Sequence, residues 1–230
     1  MTTTEVCAVL LVALPILFNL FFFLLDRQFE YPEILRKPVD HVLRRFLEGG
    51  SSLKLTWLGF ALTAALFAPA VVLLHEVLAP GATALLAIAT TFGVLAAIVQ
   101  FLGLVRWPFL VPYLARTHED PTSSAATKDA AAIVFESFNR YAGVAVGEHL
   151  GYLFTGIWTS LIGVVIVDTP GLAAWIGIVG IVLGLLLVFG ALEFVGPNEE
   201  RGFALAATVV PIAYIAWSVW LVVLGLALVL

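Results

Sequence analysis

Six predominantly apolar runs, each of about 20 residues or more, dominate this chain, and that is the length a helix needs to cross roughly 30 Å of hydrocarbon. They cover Val6–Leu25, Leu55–Val77, Ala82–Val105, Gly143–Val167, Leu172–Val195 and Gly202–Leu230. Little chain is left for anything else. The spacing therefore predicts an all-α fold, a single six-helix transmembrane domain over residues 1–230. Composition excludes the soluble alternative: 62% of the residues are hydrophobic and 12% charged, against about 25% charged in an ordinary soluble domain. A core of this size cannot hide that much apolar surface. The lone Cys7 cannot form an intrachain disulfide. A net charge of −5 without a basic patch gives no reason to expect a nucleic-acid partner. The opening Met-Thr-Thr-Thr-Glu lacks a basic leader region and no small-residue cleavage site follows, so the first run reads as a retained helix.

Orientation is read from the basic residues. Arg27, Arg36, Lys37, Arg44, Arg45 and Lys54 lie in the first loop, Arg106, Arg116 and Lys128 in the third, and Arg201 in the fifth; Arg140 precedes the fourth run on the same side. The positive-inside rule makes those loops cytoplasmic and puts both termini on the outer side. Two of the loops carry helical patterns of their own. Val39, Val42, Leu43, Phe46 and Leu47 fall on one face opposite Asp40, His41, Arg44, Arg45 and Glu48, which predicts a short helix lying on the inner membrane surface. Glu136, Asn139 and Arg140 share a face before the fourth run, so that helix is expected to start in the interface, with Glu136 and Arg140 as an i,i+4 surface pair. Trp107-Pro108-Phe109 and Pro112-Tyr113 read as a junction at headgroup depth.

Two stretches, Arg106 to Pro112 and Val134 to Tyr141 continuing through Gly147-Glu148-His149-Leu150-Gly151-Tyr152 to Thr155, resemble a bacterial family of multi-pass membrane proteins known only as a domain of unknown function. The resemblance implies the six-helix architecture and a bacterial inner (plasma) membrane. It implies no catalytic residues.

Familiar membrane chemistries are poorly matched. His75-Glu76 lacks the second histidine of a zinc protease. Ser160 and Ser218 have no nucleophile-elbow glycines. No run holds an internal lysine for a retinal Schiff base, and His75 and His149 belong to opposite ends of their helices, which argues against a shared haem. No catalytic residue, metal or cofactor is predicted.

The fourth run stands apart. Ser137, Tyr141, Glu148, Tyr152, Thr155 and Thr159 recur at helical spacing as one polar stripe, and Gly143, Gly147 and Gly151 permit a close helix neighbour. Asn19, Gln100 and Glu193 fall at the same depth by residue counting. Ionisable groups within spans are functional candidates because burying them is costly. The candidate ligand-binding set is thus Glu148, His149, Tyr152, Thr155, Gln100, Glu193, Asn19 and Arg140. It fits a binding or transport module taking a proton, a small molecule or a lipid headgroup from the cytoplasmic leaflet, and it fits equally a set in which Glu148, His149 and Glu193 snorkel toward water while Asn19 and Gln100 bond across helices. The alternative is a non-catalytic accessory subunit of a larger membrane complex, whose partners are the bilayer and other membrane proteins. Pro211 is expected to bend the last helix, either to complete the wall of the pocket or as a packing kink alone.

Overall fold

The computed structural model describes residues 1–79 and 84–230; the expected start of the third run at Ala82 lies outside the described residues. Those residues are helical, with no β-strand among them. The helices are α1 (Thr3–Phe29), α2 (Val39–Glu48), α3 (Gly50–Leu78), α4 (Ala84–Phe109), α5 (Val111–Glu119), α6 (Ala125–Phe138), α7 (Gly151–Val167), α8 (Ala174–Gly190) and α9 (Ala204–Ala227), with a π-helical segment, Asn139–Leu150, joining α6 to α7. Local chemistry sets several ends. A capping box starts α1, in which Thr2 Oγ1 accepts from the Glu5 N–H and Glu5 Oε2 from the Thr2 N–H. Ser124 caps α6 through the Thr127 N–H.

Five helical stretches are long and apolar enough to cross a membrane: Thr3–Phe29, Gly50–Leu78, Ala84–Glu119, Ala125–Val167 and Ala204–Ala227. The expected fifth run is shorter than its pattern, because α8 has 17 residues, about 25 Å of helix. Its last expected residues form turns instead. Gly196 takes a left-handed φ of +63°, and the Phe203 N–H closes the turn on the Glu193 carbonyl at 2.7 Å.

The five long stretches and the shorter α8 form a closed ring in which α1 packs on α3, then α3 on α4, α4 on α7, α7 on α8, α8 on α9, and α9 back on α1. Glycines bring neighbours together along two seams. Gly143, Gly147 and Gly151 lie against Arg106, Gly103 and Gln100 of α4, while Gly156 and Gly163 meet Gly184 and Gly177 of α8 backbone to backbone. At one end the interior is filled by Phe67, Trp158, Trp217 and Trp220. At the end carrying the basic loops, Trp57 and Trp107 stack at 4.5 Å and are enclosed by Phe29, Phe46 and Phe135.

This second cluster corrects two expectations. The apolar face of α2 is covered by protein: Val42, Leu43 and Phe46 are buried within the cluster and α2 packs on α5, so none of them is left to insert into a membrane surface. Trp107 is fully buried in the same cluster, leaving Phe109 and Tyr113 as the exposed aromatics of its junction. The physical reason is shared. The chain turns between α5 and α6, which pack on each other, and these two helices supply a protein cover that an amphipathic pattern does not distinguish from lipid.

Candidate functional site

A cavity of about 1480 Å³ opens inside the ring at the basic end. Its walls come from α1, the Tyr31–Lys37 loop, the start of α2, α3, α4, α6, the π segment, α7, the turn after α8, and α9. Seven of the eight sequence candidates line it: Asn19, Gln100, Arg140, Glu148, His149, Tyr152 and Glu193. The eighth, Thr155, is fully buried behind Gln100 and accepts a hydrogen bond from Gln100 Nε2 at 3.0 Å.

Several of these groups are already engaged. Asn19 Nδ2 donates to the Pro15 carbonyl at 2.7 Å and to Ser218 Oγ at 3.0 Å, tying α1 to α9. His149 Nδ1 donates to the Ala191 carbonyl at 2.6 Å, which satisfies a free carbonyl just past the end of α8. Glu148 differs: its carboxylate lines the cavity without a hydrogen bond or ion pair among the described residues. Tyr152 lies with its ring 5.5 Å from that of Tyr214. The Tyr214 hydroxyl, beside Thr155, makes no hydrogen bond of normal geometry.

The polar stripe is interrupted where the helix widens. Thr155 and Thr159 face the interior, and Thr159 accepts from Trp217 Nε1 at 2.9 Å, but Tyr141 is 70% exposed and Ser137 turns back on the Ile133 carbonyl. Hydrogen bonds from residue i to i+5 across Asn139–Leu150 rotate everything before them away from α-helical register. The expected Glu136–Arg140 pair fails for the same reason, since the register changes between them; Arg140 bonds to Glu199 instead. Pro211 lines the cavity from within α9.

Sequence reasoning placed Arg106 among the loop cations, and the structure puts it inside. Its guanidinium lines the cavity, donates to the Gly103 carbonyl and to Asn139 Oδ1 at 2.8 Å, and lies 5.2 Å from the centre of the Trp107 ring. No carboxylate pairs with it among the described residues. Gly143 makes room, since a Cβ there would lie 2.5 Å from Arg106 Nη2. That glycine, matched to an arginine on the facing helix, was the available signal. Tyr31 was also missed. It sits beyond the first run, where residue counting gave no depth, yet its ring packs on Trp57 at 5.0 Å and lines the cavity.

The mouth carries Arg36, Lys37, Arg140 and Arg201 together with Glu136, Glu193, Glu199 and Glu200. With Arg106 and Glu148 within, cations and carboxylates are balanced around the cavity.

Its membrane-type helices mark the chain as a multi-pass membrane protein. It belongs to the family described as a domain of unknown function (DUF4386), whose pattern matches residues 6–225. No curated protein and no solved structure matches it.

Proposed function

We propose that this protein is a non-enzymatic binding or transport module of a bacterial inner membrane, taking an amphiphilic ligand whose polar head enters the cavity from the cytoplasmic leaflet. Six spans with both termini outside fit the charge distribution. Helix α8 serves as the sixth span: 17 residues lie at the lower end of the spanning range, and its position in the ring between α7 and α9 supports that role. The observation that carries the reading is the cavity itself, where a free carboxylate and an unpaired guanidinium sit within otherwise apolar helices. Inward-facing charges in a bundle are expensive, and water or a ligand must repay them. The aromatic wall of Phe18, Phe22 and Phe60 suits the first carbons of a tail.

Native mass spectrometry of the protein released from its membrane into mild detergent tests the reading. A bound amphiphile should survive release, and Ala207→Leu, which adds bulk to the cavity wall on α9, should weaken its retention while the Gly103–Gly147 seam is left untouched. A protein that carries nothing, and takes up no lipid from added mixtures, would favour an accessory subunit.

A further inference from the structure

The two interior charges of the cavity are separate from each other, and that separation points to the kind of head the cavity holds. Gly103 and Gly147 touch across the α4 seam. Arg106 lies three residues from Gly103 toward the basic end, and Glu148 lies one residue beyond Gly147 in the deeper direction. At 1.5 Å per residue the two are offset by about four residues, ~6 Å along the bundle. They do not pair, and each keeps unused hydrogen-bonding capacity toward the cavity: Arg106 spends bonds on Gly103 and Asn139 only, and Glu148 spends none.

A purely anionic head would set its charge beside the Glu148 carboxylate in a poorly solvated space, and a purely cationic head would meet Arg106. Arg106 and Glu148 offset one another in part across the gap, and a ligand bearing both signs satisfies each of them directly. The balanced mouth agrees, since it concentrates neither anions nor cations. From these positions we infer that the cavity recognises a zwitterion in which a primary ammonium and a phosphate are joined by a short linker, with phosphate on Arg106 and ammonium on Glu148. This rests on the binding reading above and names its ligand class. The guanidinium takes phosphate by forked hydrogen bonds. The carboxylate needs N–H donors, which a primary ammonium supplies and a quaternary one lacks.

The test measures lipid retention by the full chain in detergent, with phosphatidylethanolamine, phosphatidylglycerol and phosphatidylcholine of matched tails in competition, and with soluble phosphoethanolamine in a separate arm. The wild type should retain phosphatidylethanolamine at least about tenfold over each of the others, the equivalent of about 1.4 kcal/mol. Glu148→Gln, which preserves volume and hydrogen bonding, should erase the preference over phosphatidylglycerol while lipid binding persists. Arg106→Gln should weaken every phosphate-bearing lipid; because Arg106 also braces Asn139, the Glu148→Gln result stands as the deciding one. Binding of soluble phosphoethanolamine with the same Glu148 dependence supports the zwitterion and assigns it to a free headgroup rather than a lipid. Equal retention of the three lipids by the wild type, or a preference unchanged in Glu148→Gln, overturns the zwitterion while leaving a lipid pocket standing. Retention of no lipid and no phosphoethanolamine overturns the pocket as well.

Discussion

Gly103 of α4 and Gly147 of the π segment meet without side chains between them: a Cβ built on Gly103 would lie 2.6 Å from the Gly147 Cα. The seam that holds one wall of the cavity is therefore a backbone contact, and it sets the distance between the elements bearing Arg106 and Glu148. Gly103→Ala should force that seam apart and destabilise the protein by about 1–3 kcal/mol, read as a lowered thermal midpoint in detergent. Ala130→Leu on the exposed face of α6 should leave the midpoint in place. Equal midpoints for Gly103→Ala and wild type would show that the seam yields freely.

Thr155 is the acceptor of a bond that joins α4 to α7. Thr155→Val keeps its shape and removes that acceptor, so a loss of about 0.6 kcal/mol, and no more than about 2, is expected. A double-mutant cycle with Gln100→Leu measures the coupling, which should vanish once either partner is gone.

Phe46 is buried between Phe29, at 5.8 Å, and Trp107, at 6.0 Å. Phe46→Ala should cost about 3–5 kcal/mol and weaken the near-ultraviolet circular dichroism of the Trp57–Trp107 stack. If α2 were held by lipid instead of by protein, the dichroism in detergent would be indifferent to this substitution.

Asp120 accepts from the Thr122 hydroxyl at 2.7 Å and from its N–H at 2.8 Å. Those bonds favour the charged form and hold its carboxyl below the usual aspartate range. Because the folded value is depressed, the turn is tightened at neutral pH and loosens as acid protonates the carboxylate, below its ordinary range. The Thr122 amide resonance should follow that transition, and Asp120→Asn should abolish it.

The proposed orientation has its own test. Cys7 is buried, so single cysteines introduced at Thr169, Ser51 and Thr122 report separately. A membrane-impermeant thiol reagent added to intact cells should modify Thr169→Cys and spare Ser51→Cys and Thr122→Cys. The opposite pattern would turn the protein over.

The long helices and the candidate residues were legible from apolar run length and from residue counting, because a rise of 1.5 Å per residue converts position into depth. Counting gathered Asn19, Gln100, Glu148 and Glu193 at one level without any structure, and all four line the cavity. It failed where the helix is not an α-helix. Nothing in the Asn139–Leu150 pattern distinguishes i+4 from i+5 bonding, so Tyr141 and Arg140 were assigned to faces they do not occupy. It failed again where burial depends on a distant partner. The apolar face of α2 is plain in its spacing, but whether lipid or protein covers it is decided by α5 and α6, far along the chain.

The bond between Asn19 and Ser218 spans 199 residues of sequence and belongs to the contact that closes the helix ring. During biosynthesis α1 leaves the ribosome first and α9 last, so on the proposed topology the asparagine enters the bilayer long before its serine exists. Until then the nascent protein is an open crescent with an amide exposed along its free edge. A chain that stalls before α9 keeps that edge open, with the Asn19 amide still lacking its Ser218 partner.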